Sequence, residues 1–362
     1  MVDPSRRRRP EWRARESPWQ SWMRKAPCWR YTEALRSTNI GQRWCSHNDG
    51  DRSMKVLEGD PLGWRPLDGR SAVAIGVFDG VHLGHREILE KVVAVGHRQS
   101  HQAVALTFDP HPLELVAPEK APVFLTSVSQ RLGHFEGIGI DVTGILAFGE
   151  IRDLAPETFV EEILVERVRA ARVSVGVDWR FGRDRAGDVS LLERMGEKHD
   201  FSVQPVELVC ELEGEVVSST RIRRALGDGD VKMATRLLGH PFIIEGHVIH
   251  GDSRGRELGV PTVNLHVPER IAVPGHGIYA SVTHHRGERF PSVTSVGVRP
   301  TFDSDSHRTI ESHILDFDEE LYGEAIGVEF IDWIRPELKF DSVGELIDAM
   351  EADIDKAREI LS

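Results

Sequence analysis

Apolar and polar positions follow two different rhythms along the chain. Up to about residue 236, short apolar runs alternate with stretches of helical period. Residues 72–78 read as a buried strand, Asp79-Gly80 as a turn, and Arg86–Val95 as a helix with Ile88, Leu89, Val92 and Val93 on one side. Ala103–Phe108 reads as the next strand. It must leave its sheet at Asp109-Pro-His-Pro112, because proline cannot donate to a ladder. A helix over Leu125–Ile138 follows, with Thr126 or Ser127 as its cap, then a strand over Val142–Phe148. Ala155-Pro-Glu opens a helix through Val168, with proline in its first turn, and Arg172–Val177 reads as a further strand. Ser218 or Ser219 caps a short helix, and Asp230–Leu238 forms another that Gly239 ends. Strands alternating with helices predict an open, parallel, Rossmann-like α/β sheet over residues 54–236. Ligands then bind beyond the carboxyl ends of the strands, where His82, His111 and Asp178 fall. The dinucleotide fingerprint G-x-G-x-x-G is absent from the sequence.

After a linker near Leu226–Pro241 the period changes. Phe242–Ile249, Gly277–Thr283, Ser292–Val298, Thr309–Phe317 and Ile326–Trp333 are short strands separated by glycine and charged turns. Such a series predicts a small antiparallel β-barrel over residues 237–362. Phe340–Ile360 reads as a closing helix, with a break near Ala352, covering an open barrel edge. Leu346, Ile347, Met350 and Ile354 supply its buried face.

Charge separates a third segment. Residues 1–53 hold twelve Lys/Arg against six Asp/Glu, a net of +6, whereas the whole chain is −13, so residues 54–362 carry −19. Five of the eight tryptophans (Trp12, Trp19, Trp22, Trp29 and Trp44) fall in this tract without a steady period. Arg6-Arg-Arg-Arg9 has the character of a nucleic-acid or membrane tether. A disordered tail, or a natural start at Met54, fits the tract better. The acidic body argues against general nucleic-acid binding. No run of eighteen apolar residues predicts a membrane span. Three cysteines give no disulfide framework, which fits a reducing cytoplasm. Small molecules are the expected partners, with the chain a monomer or transient homo-oligomer.

The candidate chemistry gathers at Gly76-Val-Phe-Asp-Gly-Val-His-Leu-Gly-His85. Free N–H groups at a helix start attract anions, and Gly80 and Gly84 let a ligand approach backbone. His82 and His85, three apart, can face one ligand and donate protonated N–H bonds to a polyphosphate. Two histidines without a cysteine pair or carboxylate nearby fall short of a zinc site. Ser219 and Thr220 offer hydroxyls to phosphate. Arg221 and Arg223 cannot share one helical face. Gly251–Gly259 carries three glycines and can wrap phosphates as an anion nest or stand as an exposed hairpin. Thr262 and Asn264, two apart on an extended strand, face one side and can present oxygens to Mg²⁺.

The first of these motifs resembles the signature of the bifunctional riboflavin kinase/FAD synthetase family of prokaryotic type. Six further segments resemble the family in its order: Thr107–Pro112, Gly176–Gly182, Ser218–Arg223, Gly251–Arg256, Gly259–Asn264 and Arg299–Phe302, followed by Glu311. The resemblance runs from about Met54 to the end. It implies ATP, Mg²⁺, riboflavin and FMN as ligands, with FMN made in the C-terminal unit and FAD in the N-terminal one. It assigns His82, His85 and Arg223 to nucleotide phosphates. It sets Gly76, Phe78, Asp79, Gly80, His111, Asp178, Ser219 and Thr220 in nucleotide- or flavin-binding segments. Phe108, Pro110 and Phe181 either contact flavin or adenine or pack the core. Gly251, Arg254 and Gly259 would wrap ATP, Thr262 and Asn264 would hold ATP–Mg²⁺, and Glu311 would be the base for the riboflavin 5′-hydroxyl. Val263 replaces the family's usual alanine, and Ser295 stands where asparagine is common. Two other readings are a riboflavin kinase with a decayed adenylyltransferase unit and a flavin- or nucleotide-binding regulator without turnover.

Overall fold

Six parallel strands form the first sheet: β1 (Lys55–Leu57), β2 (Ser71–Ile75), β3 (Gln102–Phe108), β4 (Val142–Leu146), β5 (Ala170–Gly176) and β6 (Ser202–Val206), in the order β1-β4-β3-β2-β5-β6. The computed structural model describes residues 53–207, 210–251, 260–298 and 308–362. The reading of residues 1–53 as a tail therefore lies, except for Ser53, outside the described residues.

The inner strands read as continuous apolar runs because both faces are covered. Each face has its own chemistry. Ala72, Ala74, Ala103 and Ala105 point to one side and let helices α1 (Leu83–Arg98) and α2 (Val128–Ile138) pack close. Val73, Ile75, Val104 and Leu106 point to the other, against α3 (Phe159–Arg167) and α4 (Val189–His199). Burial of these side chains contributes about 1.5–3 kcal/mol each for the larger ones. Strand order reverses direction between β2 and β5, so a crevice opens beyond their carboxyl ends. β1, β6, α4 and a small hairpin, β7 (Glu211–Leu212) with β8 (Glu215–Val216), are elements the apolar rhythm did not reveal.

The second sheet closes on itself. Strands β9 (Ile243–Ile249), β10 (Val263–His266), β11 (Gly277–His285), β12 (Glu288–Val298), β13 (Arg308–Ile314) and β14 (Ala325–Arg335) pair as β10-β13-β12-β11-β14-β9, and β9 joins β10 to complete the ring. Tyr279, Val296, Ile310, Val328 and Phe330 fill the interior. Ser281, Ser292, Thr294 and Ser312 line one side of it and satisfy each other at 2.7–3.0 Å.

Closure corrects the expectation of an open edge. The last helix has no edge to cover and lies instead across β11, β12 and β14. It also runs unbroken from Val343 to Leu361, through Ala352, because its sequence holds no proline and a single early glycine, Gly344. Arg335 on β14 clamps it with two bonds to the buried Asp353, at 2.8 and 2.7 Å. Leu346, Ile347, Met350 and Ile354 are half-buried beneath it.

The span between sheet and barrel is packed helix rather than loop. α5 (Ser219–Gly227) and α6 (Val231–Leu238) bury Ile222, Leu226, Leu237 and Leu238 in one cluster with Phe242, Ile244 and Tyr279 of the barrel.

Candidate active site

The connection from β2 to α1 makes an unusual turn. Phe78, Gly80 and Val81 all have left-handed φ, at 50°, 79° and 38°. Such backbone is costly for Phe and Val, so surrounding contacts must hold it. Gly80 is obligatory there twice over: its φ is positive, and a Cβ would meet Leu125 at 2.8 Å and Leu238 at 3.1 Å. The Gly80 N–H donates to Thr126 Oγ1 (3.1 Å), and the Ser219 hydroxyl donates to the Asp79 carbonyl (3.0 Å). Asp79, buried, accepts from the Leu125 N–H at 2.8 Å and pairs with Arg223. Arg223 also donates to the Val123 carbonyl (2.7 Å). Arg221 turns the other way, to the carbonyls of Leu212 and Glu215 on the hairpin. Two residues apart on a helix, the two arginines diverge as helical geometry requires.

α1 begins three residues earlier than its apolar period indicates. His82 is its N-cap, and His82 Nδ1 accepts the His85 N–H at 3.4 Å. The two rings stack, with centroids 3.6 Å apart and 18° between planes. Phe78 meets His85 edge-on at 5.3 Å. Burial, with His240 and Arg223 nearby, pulls the His82 imidazole down to about 4. Burial likewise drives His85 well below the ordinary range, with His82 adding to the effect. The expectation of protonated rings is therefore corrected: both are neutral near pH 7. A neutral ring still donates one N–H, and with Nδ1 accepting, that proton of His82 sits on Nε2.

The same burial has a consequence for stability. The unfolded chain binds a proton on each such histidine below pH 6.5, while the folded chain refuses it. Stability contributed this way is complete above 6.5 and is lost as pH falls toward the folded value; for His82 it amounts to about 3 kcal/mol. His134, His240 and His111 are shifted the same way, each chiefly by burial. Burial raises Asp79 despite Arg223, an effect of opposite sign. Thermal melts should show the midpoint falling steadily from pH 7 to pH 5, and a flat profile over that window would contradict neutral burial.

The remaining residues singled out in the first unit divide between crevice and core. His111 caps the short helix Pro112–Val116, its Nδ1 accepting from the Leu113 N–H at 3.0 Å, and its ring meets Phe124 edge-on. Asp178 is exposed just past β5, with Oδ1 3.2 Å from where a Cβ on Gly176 would sit. Thr220 is exposed at the start of α5. Gly76 lies under the Phe78 ring, 3.1 Å from a Cβ position. Phe78, Phe108 and Phe181 are all buried in the sheet's clusters, so core packing takes them. Trp179, which the motif reading passed over, stacks on Phe181 at 4.5 Å and is only half-buried. Arg131 was also missed. It is 1% exposed and ties the ends of β2 and β3 by donating to Val77 O (2.9 Å), Thr107 Oγ1 (3.1 Å) and Phe108 O (3.2 Å). A lone arginine in a helical stretch gives no sequence signal of such a role.

A second arrangement lies on the outside of the barrel. Strand register sets Asn264 of β10 directly opposite Glu311 of β13, and Glu311 opposite Ser295 of β12. Opposed residues share a face, so the three form a row across the sheet. β13 alternates around it: Ile310, Ser312 and Ile314 are buried, and Glu311 and His313 are half-buried on the other side. His313 Nδ1 lies 2.7 Å from the Pro261 carbonyl and so braces the residue before Thr262. The Ser295 hydroxyl donates to Glu337 (3.3 Å), which answers what its serine does in place of a longer amide. Val263 pairs with Ser312 and packs on the barrel core, so its extra methyl groups point away from the row. Gly251, just past β9, rests on Asn264; a Cβ there would come to 2.1 Å from the amide nitrogen. Arg254, Gly259 and Arg299–Phe302 lie outside the described residues.

The chain matches the FAD synthetase family over residues 65–221 and the riboflavin kinase family over residues 238–361. Several characterised proteins resemble both halves at once. The bifunctional riboflavin kinase/FMN adenylyltransferase of Escherichia coli K12 is 37% identical over 309 residues, 84% of this chain and 97% of its own. The proteins of the same name from Pseudomonas fluorescens (38% over 295 residues, 81% and 94%) and Bacillus subtilis (32% over 293 residues, 80% and 92%) agree. Among solved structures, one described as a macrolide-efflux protein from Streptococcus pneumoniae superposes with a TM-score of 0.75 at 30% identity, covering 84% of this chain and 99% of that one. Among the described residues here, no helix is long and apolar enough to cross a membrane. With both family matches falling in sequence order on the sheet and the barrel, the chain belongs to the bifunctional riboflavin kinase/FMN adenylyltransferase family and is an enzyme of FAD biosynthesis that phosphorylates riboflavin to FMN and adenylylates FMN to FAD.

Proposed function

We propose that the two reactions are divided between two units, residues 54–236 for adenylyl transfer and 237–362 for phosphoryl transfer. The observation that carries this reading is the left-handed turn at the sheet's crevice, where buried His82 and the Asp79–Arg223 pair converge on the start of α1. In the first unit an FMN phosphate oxygen attacks the α-phosphorus of ATP, and pyrophosphate leaves. No proton has to move for that displacement. The site's task is to align the reactants and stabilise charge on the oxygens. The His82 Nε2–H, the free N–H groups opening α1 and the Arg223 guanidinium supply donors. His85 holds His82 in place through its backbone N–H and its stacked ring. Ser219 and Thr220, at the start of α5, add hydroxyls beside them. His111 and Asp178 flank the crevice from β3 and β5, where the flavin nucleotide would enter.

In the second unit Glu311 accepts the proton of the riboflavin 5′-hydroxyl as that oxygen attacks the γ-phosphorus of ATP. Thr262, Asn264 and Gly251 cradle the phosphates, with Arg254 and Gly259 assigned to the same loop. Mg²⁺ fits this set. Among the described residues no group of three or more His, Cys, Asp or Glu could hold a metal. Mg²⁺ keeps its waters and substrate phosphates and needs only one or two protein oxygens, here those of Thr262 and Asn264. When bound, the ion neutralises charge on the phosphates. The three cysteines and the acidic body support a cytoplasmic enzyme acting on small molecules, as monomer or transient homo-oligomer.

Product analysis with ATP, Mg²⁺ and either riboflavin or FMN tests the division, on a variant confined to one unit. Gly251→Ala should push the Asn264 amide off the row, lowering riboflavin phosphorylation by about tenfold or more. FAD formation from supplied FMN should be unchanged. Normal phosphorylation in this variant would remove Gly251 and Asn264 from the site.

A further inference from the structure

The turn that carries His82 is held from the barrel side of the molecule. Gly239 ends α6 in a left-handed conformation, and a Cβ there would meet Leu83 at 2.3 Å, so the chain leaving α6 lies directly on the start of α1. His240 follows. Its ring is buried, with Nε2 2.9 Å from the Gly80 carbonyl and Nδ1 2.9 Å from its own neighbour's carbonyl, Pro241 O. Its ring lies against His134 of α2, centroids 4.0 Å apart and tilted by 33°. Leu238 packs over Gly80 from the same side. Further bonds fix the linker's exit to α2: Gln130 donates to the Ile243 carbonyl (3.0 Å) and Ser127 to Glu245 (3.2 Å). A second strap reaches the turn's other flank. The Phe124 N–H donates to the Arg270 carbonyl (2.6 Å) and the Ala272 N–H to the Phe124 carbonyl (2.7 Å), while Leu125 next door binds Asp79.

The Gly80 carbonyl belongs to a buried residue and meets the His240 ring nitrogen in a buried contact. Val81 directly after Gly80 and Phe78 two residues before it are both left-handed, and rotation of the Gly80 peptide would swing His82 two residues on. We propose that His240 is a positioning residue for adenylyl transfer: a neutral ring has one N–H and can serve only one of the two carbonyls, and that proton, on Nε2, holds the Gly80 carbonyl and thereby fixes the turn that aims His82. The inference rests on the reading of that turn as the phosphate site. The first residues of the barrel's half of the chain thus complete the other unit's active site.

The test uses the full-length chain with His240→Ala, His240→Phe and His240→Gln beside His82→Ala. FAD formation from FMN and FMN formation from riboflavin are measured separately on each. Phenylalanine keeps the ring's volume without the donor, and glutamine carries an amide N–H close to the Nε2 position. The Ala and Phe variants should lose about tenfold in adenylyl-transfer kcat, the worth of one buried hydrogen bond. Their KM for ATP and FMN should stay within about twofold, because the substrate contacts themselves remain. The Gln variant should recover to within about threefold of wild type. All three should phosphorylate riboflavin normally, which also reports that they fold. A fully active Phe variant, or a Gln variant as impaired as Ala, would overturn the proposal by reducing His240 to packing. If His82→Ala is impaired while every His240 variant is normal, the phosphate site stands and the positioning role falls. If His82→Ala is itself normal, the site reading falls first.

Discussion

His82→Ala should lower FAD formation from FMN by about two to three orders of magnitude in kcat, with riboflavin phosphorylation untouched. The size of the effect follows from where the ring sits. It is 2% exposed, neutral, and fixed at three points: its Nδ1 takes the His85 N–H, its face lies on the His85 ring, and its carbonyl takes the Arg86 N–H in the first turn of α1. A donor so constrained needs no reorganisation when charge builds on the phosphate oxygens, and its surroundings contain little water to screen it. Alanine removes the donor, and Arg223 cannot move into its place, since its Nε and one terminal nitrogen anchor it to the Val123 carbonyl and Asp79 while its remaining N–H groups face their own part of the site. Assaying FMN formation on the same preparation separates lost chemistry from lost folding. Equal FAD synthesis in the variant would strip His82 of its role.

Glu311→Gln should do the reverse, slowing riboflavin phosphorylation by about two to four orders of magnitude while FAD formation from FMN continues. Glutamine keeps the shape and the place in the row with Asn264 and Ser295 but cannot accept the hydroxyl proton. KM for ATP should change little, because the phosphate cradle is formed by Gly251, Thr262 and Asn264. Normal kinase turnover in this variant would exclude Glu311 as the base.

How far could these sites be read in the sequence? The strand, the Asp-Gly turn and the helix after it were legible because period and turn chemistry are local. So was a serine cap at Ser218 or Ser219, which the Ser218 hydroxyl settles by accepting the Arg221 N–H; the Asp230 cap of the next helix, accepting the Met233 N–H, was read only as that helix's first residue. Thr262, Asn264 and Glu311 could be named as candidates, but only strand register put Asn264 opposite Glu311 and turned Val263 inward. The barrel's closure depended on β9 meeting β10, a pairing between segments that carry no mark of each other. For Phe108 and Phe181 the sequence left ligand contact and core packing open, and both rings are buried, since composition does not say which face of a strand end a ring takes.

The histidines show the limit most clearly. Charge state depends on burial, and burial is assembled by distant parts of the chain. His82 is made neutral partly by His240, 158 positions away in a segment that reads as linker. Arg131 likewise gives no local sign that it will knot two strand ends together. What the apolar rhythm supplies is the scaffold; what it omits is the set of long-range polar contacts that hold strained backbone in place. Those contacts cluster around Phe78–His82, where three left-handed residues would relax without them.

A structure of the full chain with a non-hydrolysable ATP analogue and Mg²⁺ tests the whole account most directly. Two nucleotides per chain are expected. One triphosphate should lie at the start of α1 within reach of His82 and Arg223, and the other beside Gly251, Thr262 and Asn264 on the barrel's outer face. A single nucleotide serving both reactions, or triphosphates bound away from these residues, would contradict it.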